Sequence, residues 1–153
     1  MRRIVTGLAL ALAAGGCGGG ALGGGALEGS IEADGSVLGA WTLVPDSCVS
    51  GQRQEFYGVI LLDSEDERLQ IKVVVDPLEG LALVATIPEG CEPGGLCEAV
   101  VIRASECEGL HGDVRRDTSI STNSIWHMEG WVDVECRIGD GHLRGAIEFS
   151  ACH

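Results

Sequence analysis

Helical periodicity is the first thing this chain lacks. Across 153 residues no window keeps apolar side chains at spacings of three and four between capping residues, so little helix is expected. Cations are scarce too, with 10 Lys and Arg against 23 Asp and Glu. Phosphate contacts need clustered Lys and Arg, and the Arg115-Arg116 pair is too small a patch, which excludes nucleic acid as a partner. No Cys-x-x-Cys and no Gly-x-Ser-x-Gly occurs, so paired zinc ligands and a nucleophile elbow are both missing. The acidic run Asp63 to Glu67 lacks the Asp-x-Asp-x-Asp-Gly spacing of a calcium loop and reads as a hairpin tip. No metal or cofactor is expected. Long apolar runs are also absent. Ile4 to Ala14 is apolar but for Thr6 and Gly7, and it falls short of the roughly 17–25 residues that span a bilayer.

That short run has a different meaning. Met1-Arg2-Arg3 is basic, Ile4 to Ala14 is apolar, and Ala14-Gly15-Gly16 are small, which is the layout of a secretory signal peptide over 1–16. Cys17 follows at once. Small residues leading into a cysteine resemble the lipobox of bacterial lipoprotein precursors, with Ala14 standing where that pattern usually has leucine. The resemblance covers the first seventeen residues only. It implies diacylglyceryl transfer to the Cys17 sulfur, cleavage before it, acylation of the new amino group, and an envelope membrane as the chain's partner. Gly18 in place of the aspartate of an inner-membrane retention signal favours the outer membrane.

Cysteine parity supports a separate fate for Cys17. Of 7 cysteines, six remain beyond it, at 48, 91, 97, 107, 136 and 152, an even set for an exported chain. Six cysteines allow 15 connectivities, and only Cys91–Cys97, across a short Glu-Pro-Gly-Gly-Leu loop, is a specific expectation. Loss of Arg2 and Arg3 with the signal lowers the 10 basic residues to 8 against 23 acidic ones, a net charge of −15.

Residues 17–35 read as a lipidated cysteine and a flexible glycine-rich tether, because such a stretch buries too little to offset its ordering entropy. Residues 36–153 read as one all-β domain. Strands are expected at Val37–Leu43, Phe56–Leu62, Leu69–Val75, Gly80–Ile87, Ala99–Cys107, Trp126–Ile138 and Leu143–Ala151. About seven short strands with turn residues between them predict an antiparallel sandwich or small barrel, stapled by disulfides.

The clearest of these is Trp126 to Ile138. Trp126, Met128, Gly130, Val132, Val134, Cys136 and Ile138 carry no charge, while His127, Glu129, Asp133, Glu135 and Arg137 alternate with them. Period two gives one buried and one wet face. The hairpin after it has two registers that keep the apolar faces together. A turn at Asp140-Gly141 opposes Arg137 to Arg144, whereas a turn at Gly139-Asp140 opposes Glu135 to Arg144. Opposite charges in register are favourable by about 0.2–1 kcal/mol, which favours the second.

Trp131 breaks the alternation by standing on the polar side. Beside His127 and Glu129 it can stack on a sugar ring or anchor a protein partner, or it can be covered by a loop or the tether. Glu108 to Ser124 shows no clear strand, and a long loop carrying Arg115 and Arg116 suits an anion or a glycan. A histidine near a carboxylate can act as a general base, but His111, His127, His142 and His153 fall on wet strand faces, loops and the last position. No catalytic constellation results. The expectation is a lipid-anchored envelope protein with a non-enzymatic binding or structural domain. A carbohydrate-binding module built on Trp131 is the alternative, with a small periplasmic hydrolase behind it.

Overall fold

The computed structural model describes residues 26–92 and 97–153; the signal, Cys17 and most of the expected tether lie outside that range. Ten strands form two antiparallel sheets packed face to face, which makes the fold a β-sandwich. The first sheet has the order β2-β1-β10-β9-β8, from β1 (Leu27–Ala33), β2 (Trp41–Leu43), β8 (Gly109–Thr122), β9 (Ile125–Ile138) and β10 (Gly141–Cys152). The second runs β3-β4-β5-β6-β7, from β3 (Ser47–Ser50), β4 (Gly58–Leu62), β5 (Gln70–Asp76), β6 (Gly80–Cys91) and β7 (Cys97–Arg103). Two short 3-10 turns, at Gly51–Gln54 and Ala104–Glu106, are the helical content of the described residues.

The core is the sum of the two inward faces. Ile31, Leu43, Val132, Val134, Leu143 and Ile147 of the first sheet meet Val59, Leu61, Ile71, Val73 and Leu83 of the second. Burial of one such side chain contributes about 1.5–3 kcal/mol, and alternation along each strand delivers them to the same layer. In β9 the inward set is the expected one, with Met128, Val132, Val134 and Cys136 buried and Trp131, Asp133, Glu135 and Arg137 exposed. The β9–β10 hairpin takes the Gly139-Asp140 turn. Ile138 opposes Gly141 and Glu135 opposes Arg144. Gly139 sits at φ +64, where a side chain is strained.

Three expectations need correction. The glycine-rich composition predicts a tether to residue 35, yet Leu27–Ala33 is a full strand between β2 and β10. Its glycines and acidic residues hide a useful alternation, with Ile31 and Ala33 buried while Glu28 and Glu32 face out. The folded body therefore starts at Leu27 and not at residue 36. Second, the stretch expected as a long loop is β8, paired with β9 from Gly109↔Glu135 to Thr122↔Ile125. Leu110 and Val114 point inward, but Gly112 and Arg116 dilute the pattern between and after them. An Asn123-Ser124 turn with both φ positive, +52 and +65, closes this hairpin. Third, Val37 to Gly39 is not strand. The chain turns there, burying Leu38 and leaving Val37 exposed, and only Trp41–Leu43 pairs with β1.

Three disulfides join the six remaining cysteines. Cys48–Cys152 ties β3 of the second sheet to the end of β10 in the first, Cys107–Cys136 ties the approach to β8 onto β9, and Cys91–Cys97 closes the β6–β7 tip as expected. Such cross-links belong to an oxidising, exported compartment. Among the described residues no helix is long and apolar enough to cross a membrane.

Candidate functional site

The outer face of the first sheet carries the features that core packing does not explain. Strand register sets its layout. Glu28 on β1 opposes Glu148 on β10, Glu148 opposes Trp131 on β9, and Trp131 opposes Asp113 on β8. These four side chains form one row across the sheet. The next row is Ser150, with Glu129 opposite Arg115 on the β8 side. Together with Ala26, Gly130 and Phe149 they line a hollow of about 470 Å³. Trp131 keeps 42% of its surface exposed, and among the described residues no loop covers it.

Arg115 is the hollow's cation. Its Nε donates to Glu129 Oε1 at 2.8 Å, and Asp113 Oδ2 lies 3.6 Å from Nη1. The Glu129 hydrogen bond, then the Glu129 and Asp113 charges, push the guanidinium pKa upward, so the group stays charged and directed at its own sheet. Glu28 and Glu148 enter no ion pair among the described residues.

Gly130 makes the close strand approach possible. It sits at φ +153, and a Cβ there would collide with the backbone carbonyl of Asp113. A glycine is thus required where β8 crosses next to Trp131.

Of the residues singled out in the sequence, Trp131, Glu129 and Arg115 come together here. Arg116 does not. Adjacent strand residues point to opposite faces, and Arg116 lies over the Tyr57 ring, 5.4 Å from its centroid. The two arginines therefore do not make one anion site. His127 is also separate. Its ring packs 5.1 Å from that of His153, half-buried, with both ring nitrogens shielded and without a hydrogen-bond partner among the described residues. That is not the wet strand position expected of it.

The histidine–carboxylate contact found elsewhere is His142 Nδ1 to Asp34 Oδ1, 3.6 Å apart with both side chains open to solvent. Among the described residues no three His, Cys, Asp or Glu converge as a metal site. The acidic tip at Asp63 to Glu67 satisfies itself. Asp63 accepts backbone N–H groups of Glu65 and Asp66, and Asp66 pairs with Arg68 at 2.8 Å.

Sequence reasoning missed Glu28, Asp113 and Glu148. Each has the outward parity of its strand, but Glu28 falls where the composition predicts a tether and Asp113 where it predicts a loop. The signal that finds them is register, available once β1 and β8 are recognised. Comparisons with protein-family models, with curated proteins and with solved structures found no match, so the site is read from its own geometry.

Proposed function

We propose that this is an exported, lipid-anchored envelope protein whose sandwich acts as a binding module, without catalysis, through the outer face around Trp131. The observation that carries the reading is the exposed Trp131 ring at the centre of a hollow. A large aromatic on the outer face of a sheet, 42% exposed, offers area to a ligand and nothing to its own core. The lipobox-like Ala-Gly-Gly-Cys supports the anchor. If Cys17 is the acylated residue, residues 18–25 join it to Ala26, which is hydrogen-bonded to Ser150, and span at most about 30 Å even fully extended. The domain then works close to the membrane that holds it, attached by the strand whose Glu28 lines the hollow.

A carbohydrate ligand is the second reading. It is favoured by the rim, where Glu28, Glu148 and Ser150 offer hydrogen-bonding oxygens around a stacking platform.

The test is a ligand survey read at Trp131 itself. The indole N–H signal of Trp131 is assigned by its loss in Trp131→Phe and followed while oligosaccharides and short peptides are added. At least one class is expected to shift it and to lose affinity in Trp131→Ala. A well-folded protein whose Trp131 signal answers to neither class would overturn the reading.

A further inference from the structure

We propose that the Trp131 face receives a positively charged side chain, a lysine or arginine carried on a basic segment of a partner protein. This rests on Trp131 marking the binding face and goes on to name what that face binds.

The four nearest positions around Trp131 on the outer surface are all carboxylates. Glu148 and Asp113 oppose it on the two neighbouring strands, and Glu129 and Asp133 flank it two residues away on β9. Neighbouring strands lie about 4.8 Å apart and alternate residues of one strand about 6.7 Å apart. A cation resting over the indole is therefore within reach of carboxylates on every side. Glu28 extends the row beyond Glu148.

Five carboxylates thus stand against one guanidinium, and that guanidinium is already engaged. Arg115 donates to Glu129 and lies beside Asp113. Among the described residues nothing comparable serves Glu28 and Glu148, two like charges held directly opposite one another.

The chemistry selects among ligands. An anion meets repulsion from this face. A neutral sugar can donate hydroxyl hydrogen bonds to these carboxylates but leaves their charges, and the repulsion between them, in place. An ammonium or guanidinium group relieves the repulsion and meets the negative π-face of the indole at the same time. A chain of net charge −15 after processing would also draw a basic partner toward itself from a distance.

The experiment uses the full chain in a non-ionic detergent, with the Trp131 indole signal as readout. The probes are a short peptide alternating glycine with lysine, the same peptide with its lysines acetylated, and a neutral oligosaccharide. The basic peptide is expected to shift the signal and to bind about tenfold more weakly when salt is raised from roughly 0.02 to 0.3 M, because these charges are exposed and screened. Glu148→Gln and Glu28→Gln are each expected to weaken it by about threefold or more, and Trp131→Ala, followed by titration calorimetry because it has no reporting indole, to abolish it. Equal binding of the acetylated peptide, or a response to the oligosaccharide alone, overturns the cation while leaving Trp131 as the binding face. Silence toward all three probes, in a protein with a well-dispersed spectrum, removes the binding face as well.

Discussion

Glu28 on β1 stands directly opposite Glu148 on β10, and neither has a cation beside it among the described residues. Like charges in register destabilise a sheet, and opposite charges stabilise it by about 0.2–1 kcal/mol. Glu148→Lys should therefore raise stability by a few tenths of a kcal/mol, measured by urea unfolding, while abolishing the response of Trp131 to a basic peptide. A site kept for binding trades stability in this way. A destabilised Glu148→Lys protein would mean that Glu148 supports the fold and not a ligand.

The disulfides should rank by the chain they close. Cys48–Cys152 has a sequence separation of 104, Cys107–Cys136 of 29 and Cys91–Cys97 of 6. In the chain-entropy description these contribute about 4.7, 3.6 and 2.2 kcal/mol. Removing both cysteines of the first pair should cost the most, because it also frees the two sheets from one another. Removing Cys91 and Cys97 together should cost the least. Denaturant midpoints of the three double-alanine variants check the order.

The β8–β9 turn holds a stabilising substitution. Ser124 sits at φ +65, a conformation that costs an ordinary residue about 1 kcal/mol and glycine little. Ser124→Gly yields the favoured Asn-Gly type I′ turn and should stabilise by about 0.5–1 kcal/mol. An unchanged or lower melting temperature would show that this hairpin closes in another way.

Acid should act through particular turns. The Ser36 backbone N–H and then its hydroxyl hold the Asp140 carboxyl below its ordinary pKa, joining the β9–β10 tip to the loop after β1. Asp46 is lowered first by the Ser64 hydroxyl, and Asp76 by the backbone N–H of Glu79. A carboxyl whose pKa is lower folded than unfolded stabilises above the unfolded value, near 3.9, and loses that contribution as pH falls through the folded value. Asp140→Ala should thus be less stable than the parent at pH 7, and the gap should begin to narrow below about pH 4 and close only below the lowered folded value. The difference between the two proteins is the readout, since relief of the overall negative charge in acid is common to both.

How much of this was legible beforehand depends on the local pattern. β9 and β10 could be read because apolar and charged residues alternate without interruption, and the Glu135–Arg144 pairing chose the register that the structure has. β1 and β8 could not, for a shared reason. In β1 only Ile31 and Ala33 are buried, and in β8 only Leu110 and Val114. Both strands are held by ladder hydrogen bonds to long, well-patterned partners more than by their own hydrophobic content, and composition alone makes such segments look like linkers. The site suffered accordingly. Trp131, Glu129 and Arg115 were visible, whereas Glu28, Asp113 and Glu148 came into place only with the register of β1, β8 and β10. Arg116 and His127 stand apart from the hollow because strand parity and local packing, and not closeness in sequence, decide which side chains meet.

The most direct test of the whole account is the intact mass of the mature chain taken from the membrane fraction, before and after reduction. The account predicts a chain starting at Cys17 with added acyl mass, no free thiol before reduction, and six alkylatable thiols afterwards from the three disulfides. A chain that still begins at Met1, an unmodified Cys17, or free thiols among the other cysteines would contradict it.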